Sequence, residues 1–432
     1  MNGLPIPLFD TYESFVDQNF SVYEPENSCI AEYLRTFPDE LCAVQGYLAV
    51  RSFLRAYSYV PTTFASYRTA VERLLLWTLI VKKKPLFALK RQDAQDYLDF
   101  CRNPLPDWIG PVTRSRFISK SEMSSGTEFS MLPNPNWRPF NVKASKSDIR
   151  SDCVDQPETV QRYSPSKGTM AQVFSICSRF YEFLIEDGAA QANPFRMIKK
   201  AGRSNDVPED ISATRALTPL QWDYVLENAE QMAQEEPHRH ERTLFILATL
   251  FSMYLRVSDL VGRRNWKPTM GDFRQDPEGN WWFFAVGKGN KSGKIAVRDA
   301  YITRYLTRYR RFLGLSDLPS AGESTPLIKT LSGRSGLSDR QVRALLQAVF
   351  DRTLNQMRLE GRAAHEMEAL KFASAHWLRH TSATFDAPLR NAKDLQTDLR
   401  HSNLSTTQNT YYHSHDQERA LSIKKLEMRD RG

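Results

Sequence analysis

The sequence predicts a mainly α-helical protein with a small β-hairpin, an α+β chain divided into two domains. Three observations predict it. The 432 residues, 41% of them hydrophobic, are more than one small core accommodates and suit two. Apolar residues recur at 3- and 4-residue spacing in segment after segment. One run alone reads as strand: Trp281 to Val286, followed by a glycine-rich turn and Lys294 to Val297.

In chain order, residues 1–45 form an acidic N-terminal segment and residues 46–198 a helical domain. Leu48, Val50, Phe53 and Leu54 suit a helix over 46–57. Pro61-Thr62-Thr63 resets the chain before a second helix marked by Phe64, Tyr67, Val71, Leu74 and Leu75. That helix ends in Lys82-Lys83-Lys84-Pro85, cations at a helix C-terminus followed by a breaker. Ala94 to Cys101 gives a short third helix. Residues 102–165, rich in Pro, Ser, Asn and Gly, read as a long insertion partly ordered by Trp108 and Trp137. Helical spacing returns from Met170 to Leu184 and stops at Asp187-Gly188.

Residues 199–217 lack an apolar period and read as a linker. Thr218-Pro219 opens the second domain, 218–432, as N-cap and first helical residue. Helices are predicted at 219–233 and 241–262, then the hairpin, then helices at 299–313, 338–357, 376–386 and 391–400. The sequence has no internal repeat.

Composition narrows the function classes. The apolar stretch Leu244 to Leu255 is interrupted by Thr249 and Ser252 and is too short to cross a bilayer, so no membrane partner is expected. Met1 to Phe20 lacks the basic start and apolar run of a signal peptide. Five dispersed cysteines with no CxxC pair argue against a disulfide framework or a cysteine zinc site, and for a reducing, cytoplasmic setting. The chain carries a net charge of +8. Residues 1–45 hold eight acids and one base, Arg35, a net of −7, which leaves +15 on the remainder. A basic body points to a polyanion partner, most simply nucleic acid.

All eight histidines lie in the second domain. His376 and Arg379 are three apart and can share an anion from one helix face. Arg256 lies beside a strongly apolar helix and needs a partner, either Asp259 or a bound phosphate. Lys288 stands between glycines in the hairpin turn, where it could meet a ligand or simply be solvated. His376 and His380 are at zinc-binding spacing, yet Trp377 occupies the place of the glutamate in a helical zinc motif. Tyr411-Tyr412 could be packing residues or nucleophiles.

Together these residues form an ordered set: Leu255-Arg256-Val257-Ser258-Asp259-Leu260, Gly287-Lys288-Gly289-Asn290-Lys291, His376-Trp377-Leu378-Arg379-His380-Thr381, and His401 followed ten residues later by Tyr411. The set resembles the tyrosine recombinases, or phage integrases, over roughly 215–425. The resemblance implies a catalytic domain of that family preceded by its helical core-binding (SAM-like) domain. Matched position by position, the family's catalytic residues fall on Arg256, Lys288, His376, Arg379, His401 and Tyr411. Tyr411 is preferred over Tyr412 because Tyr411-Tyr412-His413 matches the family's Tyr-x-His ending. Tyr254 stands where many members carry Gly, and Asp386 to Arg390 lacks a glycine often found there. The insertion and the acidic segment are not family features.

The resemblance implies a site-specific recombinase or integrase of a mobile element acting on double-stranded DNA, with no metal and no cofactor. It further implies a 3′-phosphotyrosyl intermediate, a homotetramer on synapsed DNA with a C-terminal helix, Glu418 to Met428, docking on a neighbour, and accessory proteins in some settings. A bacterial, nucleoid-associated location follows from the same reading. In this scheme Arg256 and Arg379 clasp the phosphate, Lys288 protonates the leaving 5′ oxygen, His376 transfers a proton and His401 hydrogen-bonds the phosphate. A type IB topoisomerase, a DNA-binding protein without catalysis, and a zinc hydrolase are the rival readings.

Overall fold

The computed structural model describes residues 4–57, 59–119, 131–142, 163–196, 198, 215–263, 266–287, 292–333 and 336–412. The chain divides into two compact units, Met1–Val207 and Pro208–Gly432, each around its own hydrophobic core. Helices dominate and the strands are few and short, so the predicted fold class holds. No helix among the described residues is long and apolar enough to cross a membrane.

The first unit contains α1 (Tyr12–Val16), α2 (Ser28–Arg35), α3 (Ala43–Ala56), α4 (Pro61–Trp77), α5 (Arg91–Arg102) and α6 (Lys167–Glu186). The acidic segment folds into this unit. Leu8, Phe9, Phe15, Ile30 and Leu34 join Tyr47, Val50, Phe53, Phe64 and Phe180 in one core. Buried Glu72 fixes its entry by accepting the backbone N–H groups of Leu8 at 2.7 Å and Phe9 at 3.1 Å and pairing with Arg116. Within the insertion, Trp108 packs edge-on against Phe100 at 5.1 Å, and Arg116 covers the Trp137 ring at 4.7 Å. Both indoles are buried, and four short strands accompany them: β1 (Ile109–Gly110) parallel to β4 (Phe140–Asn141), and β2 (Phe117–Ser119) antiparallel to β3 (Met131–Pro133). Residues 120–130 and 143–162, and most of the 199–217 linker, lie outside the described residues.

The second unit opens with α7 (Pro219–Glu235), whose Thr218 cap accepts from the Gln221 N–H while Gln221 reaches back. The helix α8 (Pro237–Ser252), buried throughout from Thr243 on, follows, then a turn and α9 (Val257–Val261). A three-stranded antiparallel sheet comes next: β5 (Phe273–Gln275), β6 (Trp281–Val286) and β7 (Ser292–Ala296), with Trp281, Phe283 and Ala285 facing the core. One helical run consists of α10 (Asp299–Tyr301), a π turn (Ile302–Leu306) and α11 (Thr307–Phe312). The unit continues through α12 (Asp339–Leu359), α13 (Ala364–Lys371), α14 (Ala375–Asp386), α15 (Ala392–Leu399) and α16 (Leu404–Thr407), ending in a π turn (Gln408–Tyr412). The predicted Glu418–Met428 helix lies outside the described residues.

The helix predicted over 241–262 is in fact two. It breaks because α8 ends in a Schellman turn: Leu255 N–H reaches Leu250 O at 3.2 Å, Tyr254 N–H lies 3.4 Å from Phe251 O, and Tyr254 is left-handed at φ 51°. Glycine suits that conformation; a tyrosine is strained there by about 1–2 kcal/mol. The side chain offsets the strain. It is buried, its hydroxyl donates to Asp386, and it accepts from Arg390 at 3.0 Å. The helix α13 carries just two buried apolar residues, Met367 and Leu370, too few to show a period in the sequence.

Tyr254→Gly relieves the backbone but empties a buried aromatic site, a loss of ~3–5 kcal/mol against a gain of ~1–2. A net destabilisation of ~2 kcal/mol is expected, read as a thermal midpoint lower by about 5 °C. A glycine variant as stable as wild type would show that the hydroxyl network contributes nothing.

Candidate active site

Two helix-ending turns, one helix and a π turn bring Arg256, His376, Arg379, His401 and Tyr411 together. Arg256 follows the α8 turn and stands as N-cap of α9. His376, Arg379 and His380 project from α14. His401 follows α15, which closes in a second Schellman turn: Arg400 is left-handed at φ 52°, and His401 N–H reaches Gln396 O at 3.2 Å. Tyr411 sits in the final π turn, over a small apolar cluster formed with Tyr254, Ala383, Ala387, Leu395 and Leu399.

Arg379 is the centre of the arrangement and is only 1% exposed. Nη1 donates to Tyr254 O at 2.5 Å, and Nη2 donates to Leu399 O and to His401 Nε2 at 3.1 Å. Both carbonyls lie at helix C-termini, where unsatisfied backbone oxygens carry partial negative charge. They compensate the buried guanidinium. Burial, then the charge of Arg256, lowers its pKa to about 10, which leaves it protonated at neutral pH.

Because Arg379 donates to His401 Nε2, that nitrogen is the acceptor, and His401 Nδ1–H donates to Thr407 Oγ1 at 2.9 Å. Burial, followed by the charges of Arg379 and Arg256, lowers the His401 pKa to about 4. His401 is therefore neutral, with both nitrogens engaged. Hydrogen bonding a phosphate requires that Arg379 turn toward the phosphate and release Nε2.

Arg256 does not pair with Asp259 through its side chain. The buried Asp259 carboxylate accepts the Arg256 backbone N–H at 3.1 Å, and pairs with Arg263 at 2.9 Å and with Arg400. The Arg256 guanidinium makes no ion pair among the described residues. Its charge is felt by Arg379, His376, His401 and Tyr411. Three arginines around one carboxylate leave the site strongly cationic, which suits an anion.

The Tyr411 side chain is 1% exposed, and its hydroxyl lies 2.9 Å from His380 Nδ1. Its ring runs nearly parallel to His401, 6.3 Å away. Its pKa is raised above the ordinary phenol value, because burial outweighs the opposing pull of Arg379, by charge and hydrogen bond, and of Arg256. Tyr412 is placed differently: its hydroxyl donates to Arg390 O at 2.8 Å and is engaged outside the Arg379–His401 cluster. His376 stands at the surface with Nε2 2.9 Å from His380 Nε2.

Lys288 lies outside the described residues. The strands flanking its turn are described. Arg263 Nε holds Val286 O at 3.1 Å, and a Cβ on Gly293 would meet Arg400 Cδ at 3.1 Å. Sequence reasoning left out His380, Asp259, Arg400 and Thr407 as site residues. The signal for His380 was its fourth-residue spacing from His376, read only for zinc. Among the described residues no group of three or more potential ligands is placed to hold a metal ion.

No family model matches the chain. It is 27% identical over 248 residues to tyrosine recombinase XerC of Pelobacter propionicus, covering 56% of this chain and 68% of the relative. It is likewise 27% identical over 252 residues to XerC of Bacillus licheniformis, covering 56% and 69%. Among solved structures, XerH site-specific recombinase in a post-cleavage complex with palindromic difH substrate superposes with a TM-score of 0.51 at 13% identity. That likeness spans 96% of this chain and 93% of that one, and it concerns the fold.

The neutral histidines set an acid limit on stability. Above pH 6.5 His380 and His401 are unprotonated whether the chain is folded or not. As pH falls from 6.5 toward about 4, the unfolded chain takes up protons that the folded one refuses, so stability drops. The thermal midpoint of DNA-free protein is expected to fall between pH 6.5 and 4.5, and to fall less in His401→Gln. A variant midpoint that tracks wild type across this range would contradict the depressed His401 pKa.

Proposed function

We propose that the chain is a site-specific recombinase of the tyrosine recombinase family that cuts and rejoins double-stranded DNA through Tyr411. The observation that carries this reading is the place of the Tyr411 hydroxyl, held by His380 within the charge of Arg379 and Arg256. A packing tyrosine has no use for that surrounding. A nucleophilic one needs it, because a free phenol has a pKa of about 10 and is scarcely ionised at neutral pH.

In the proposed reaction the Tyr411 oxygen attacks the scissile phosphorus, the O–P bond forms and the bond to the 5′ oxygen breaks. The 3′ phosphate stays on the enzyme, so phosphodiester energy is conserved and the step needs no ATP. Arg256 and Arg379 hold the non-bridging oxygens as charge builds on them, a role met by two fork-shaped cations without a metal. The phosphate takes Arg379 donors from His401, and its negative charge favours protonation of His401 Nε2, which then donates to the same phosphate. Lys288 is proposed as the acid that protonates the leaving 5′ oxygen. Attack by a partner's 5′ hydroxyl reverses the step and exchanges strands, with four protomers on two synapsed sites.

The test starts from fragmented genomic DNA of the source organism, incubated with the full chain in the presence of chelator. Covalently captured fragments identify the core site, which is then built as a duplex nicked beside the cleavage point. Wild type is expected to accumulate a covalent adduct, Tyr411→Phe none, and Tyr412→Phe a normal amount. An adduct in Tyr411→Phe that is absent in Tyr412→Phe moves the nucleophile by one residue. Arg256→Ala should bind the duplex yet form adduct on the order of a hundredfold more slowly or worse. An undiminished rate removes Arg256 from the reaction. Robust relaxation of a plasmid lacking the captured site would favour the topoisomerase reading.

A further inference from the structure

Cleavage through Tyr411 requires that a buried phenol lose its proton, and the ring nitrogen that meets its hydroxyl belongs to His380, with His376, expected above to transfer a proton, one ring further out. We propose that His380 takes the Tyr411 proton and that His376 passes the charge on to solvent, the two histidines forming a relay dedicated to the nucleophile. The proposal rests on the cleavage reading of this site.

Geometry carries it. The Tyr411 hydroxyl lies 2.9 Å from His380 Nδ1, and the opposite nitrogen of the same ring lies 2.9 Å from His376 Nε2. The two rings meet edge-to-face with centroids 4.4 Å apart, one helical turn apart on α14. His380 is part-buried, and His376 is the more exposed of the two. An unbroken line of hydrogen bonds therefore leads from a hydroxyl in the interior to the protein surface.

The tautomers are constrained. Two neutral imidazoles in Nε2-to-Nε2 contact share one proton. When His380 Nε2–H donates to His376, His380 Nδ1 is bare and the phenol must donate to it. This is the arrangement before attack. When His376 Nε2–H donates to His380, His380 Nδ1 carries a proton and donates to the tyrosine oxygen, the arrangement that a phenolate needs. One shift at each link converts the first into the second. The Tyr411 proton moves to His380 Nδ1, the His380 Nε2 proton moves to His376 Nε2, and the His376 Nδ1 proton leaves to water. The tyrosine oxygen's electron pair forms the bond to phosphorus, and the bond to the 5′ oxygen breaks.

The electrostatic setting agrees. Around His380 stand His376 and Arg379 from its own helix, His401 from the turn after α15, Arg215 ahead of α7, and Tyr411 itself. Burial first, then His376, Arg379, Arg215 and His401, lowers the His380 pKa to about 4, so the ring is an empty acceptor at neutral pH. His376 is lowered too, by burial and then by Arg379, Arg256 and Arg215. An arriving DNA phosphate brings negative charge into this setting and makes both rings better bases when the phenol must ionise.

The experiment measures adduct formation on the nicked duplex from pH 6 to 9 with wild type, His380→Asn and His380→Ala. Asparagine can accept the phenol hydrogen bond through its side-chain oxygen but cannot carry the proton. Wild type is expected to vary little with pH. His380→Asn should bind DNA normally, react about a hundredfold more slowly at pH 7, and gain about tenfold per pH unit as solution ionisation of the phenol replaces the relay. Imidazole in the buffer should partly restore His380→Ala, which a purely structural histidine would not allow. A second duplex with sulfur at the bridging 5′ position needs no acid for its leaving group, and the His380→Asn deficit should persist on it. A wild-type rate and pH profile in His380→Asn overturns the relay while leaving Tyr411 as nucleophile. A deficit that vanishes on the sulfur duplex assigns His380 to the leaving group and also overturns it. Wild type that forms no adduct sinks the cleavage reading, and the relay with it.

Discussion

The site depends on one buried cation held by the ends of two helices. Arg379 is almost wholly withdrawn from water, and an uncompensated charge in that position would cost several kcal/mol. The Tyr254 and Leu399 carbonyls, which follow or close α8 and α15, supply the compensation. In return the guanidinium fixes where those two helices end. The residues that follow them, Arg256 and His401, are brought to its side. One charge thus sets the geometry of the site through the backbone it satisfies.

Both helix ends carry strain of the same kind. Tyr254 and Arg400 occupy left-handed positions that glycine adopts freely, and each uses its side chain to hold the neighbourhood. Tyr254 joins Asp386 and Arg390 on one flank, while Arg400 joins Asp259 on the other, where the same carboxylate fixes the Arg256 backbone. Arg390 in turn pairs with Asp398, which accepts the Ala296 N–H and ties β7 to α15. The strand leading from the Lys288 turn is therefore anchored to the element that presents His401.

Much of this was legible in the sequence, for reasons that differ by element. The set Arg256, Lys288, His376, Arg379, His401 and Tyr411 was picked out by its resemblance to a family's ordered motifs, each residue alone allowing a bland reading, and Lys288 lies outside the described residues. Helices with an apolar stripe, such as α4 and α7, were readable from periodicity. The break in α8 was not, because a tyrosine stands where a glycine would have announced the turn. The contribution of Asp259 was half visible: its proximity to Arg256 was plain, but the side chains it pairs with, Arg263 and Arg400, include one that is remote in sequence. His380 drew notice for the wrong chemistry, since only the fold brings Tyr411 onto its other nitrogen. The acidic segment resembled an appendage by charge, yet Leu8, Phe9 and Phe15 contribute to the first unit's core. Acidic composition describes its outer face and is silent about its inner one.

The account stands or falls on which oxygen becomes bonded to phosphorus. Trapped protein–DNA adduct, digested with nuclease and protease and sequenced by fragmentation mass spectrometry, reads this directly. The account predicts a residual nucleotide joined through phosphate to Tyr411, with Tyr412 in the same peptide unmodified. Nucleotide mass on Tyr412, on a histidine or on a residue outside this peptide would contradict it.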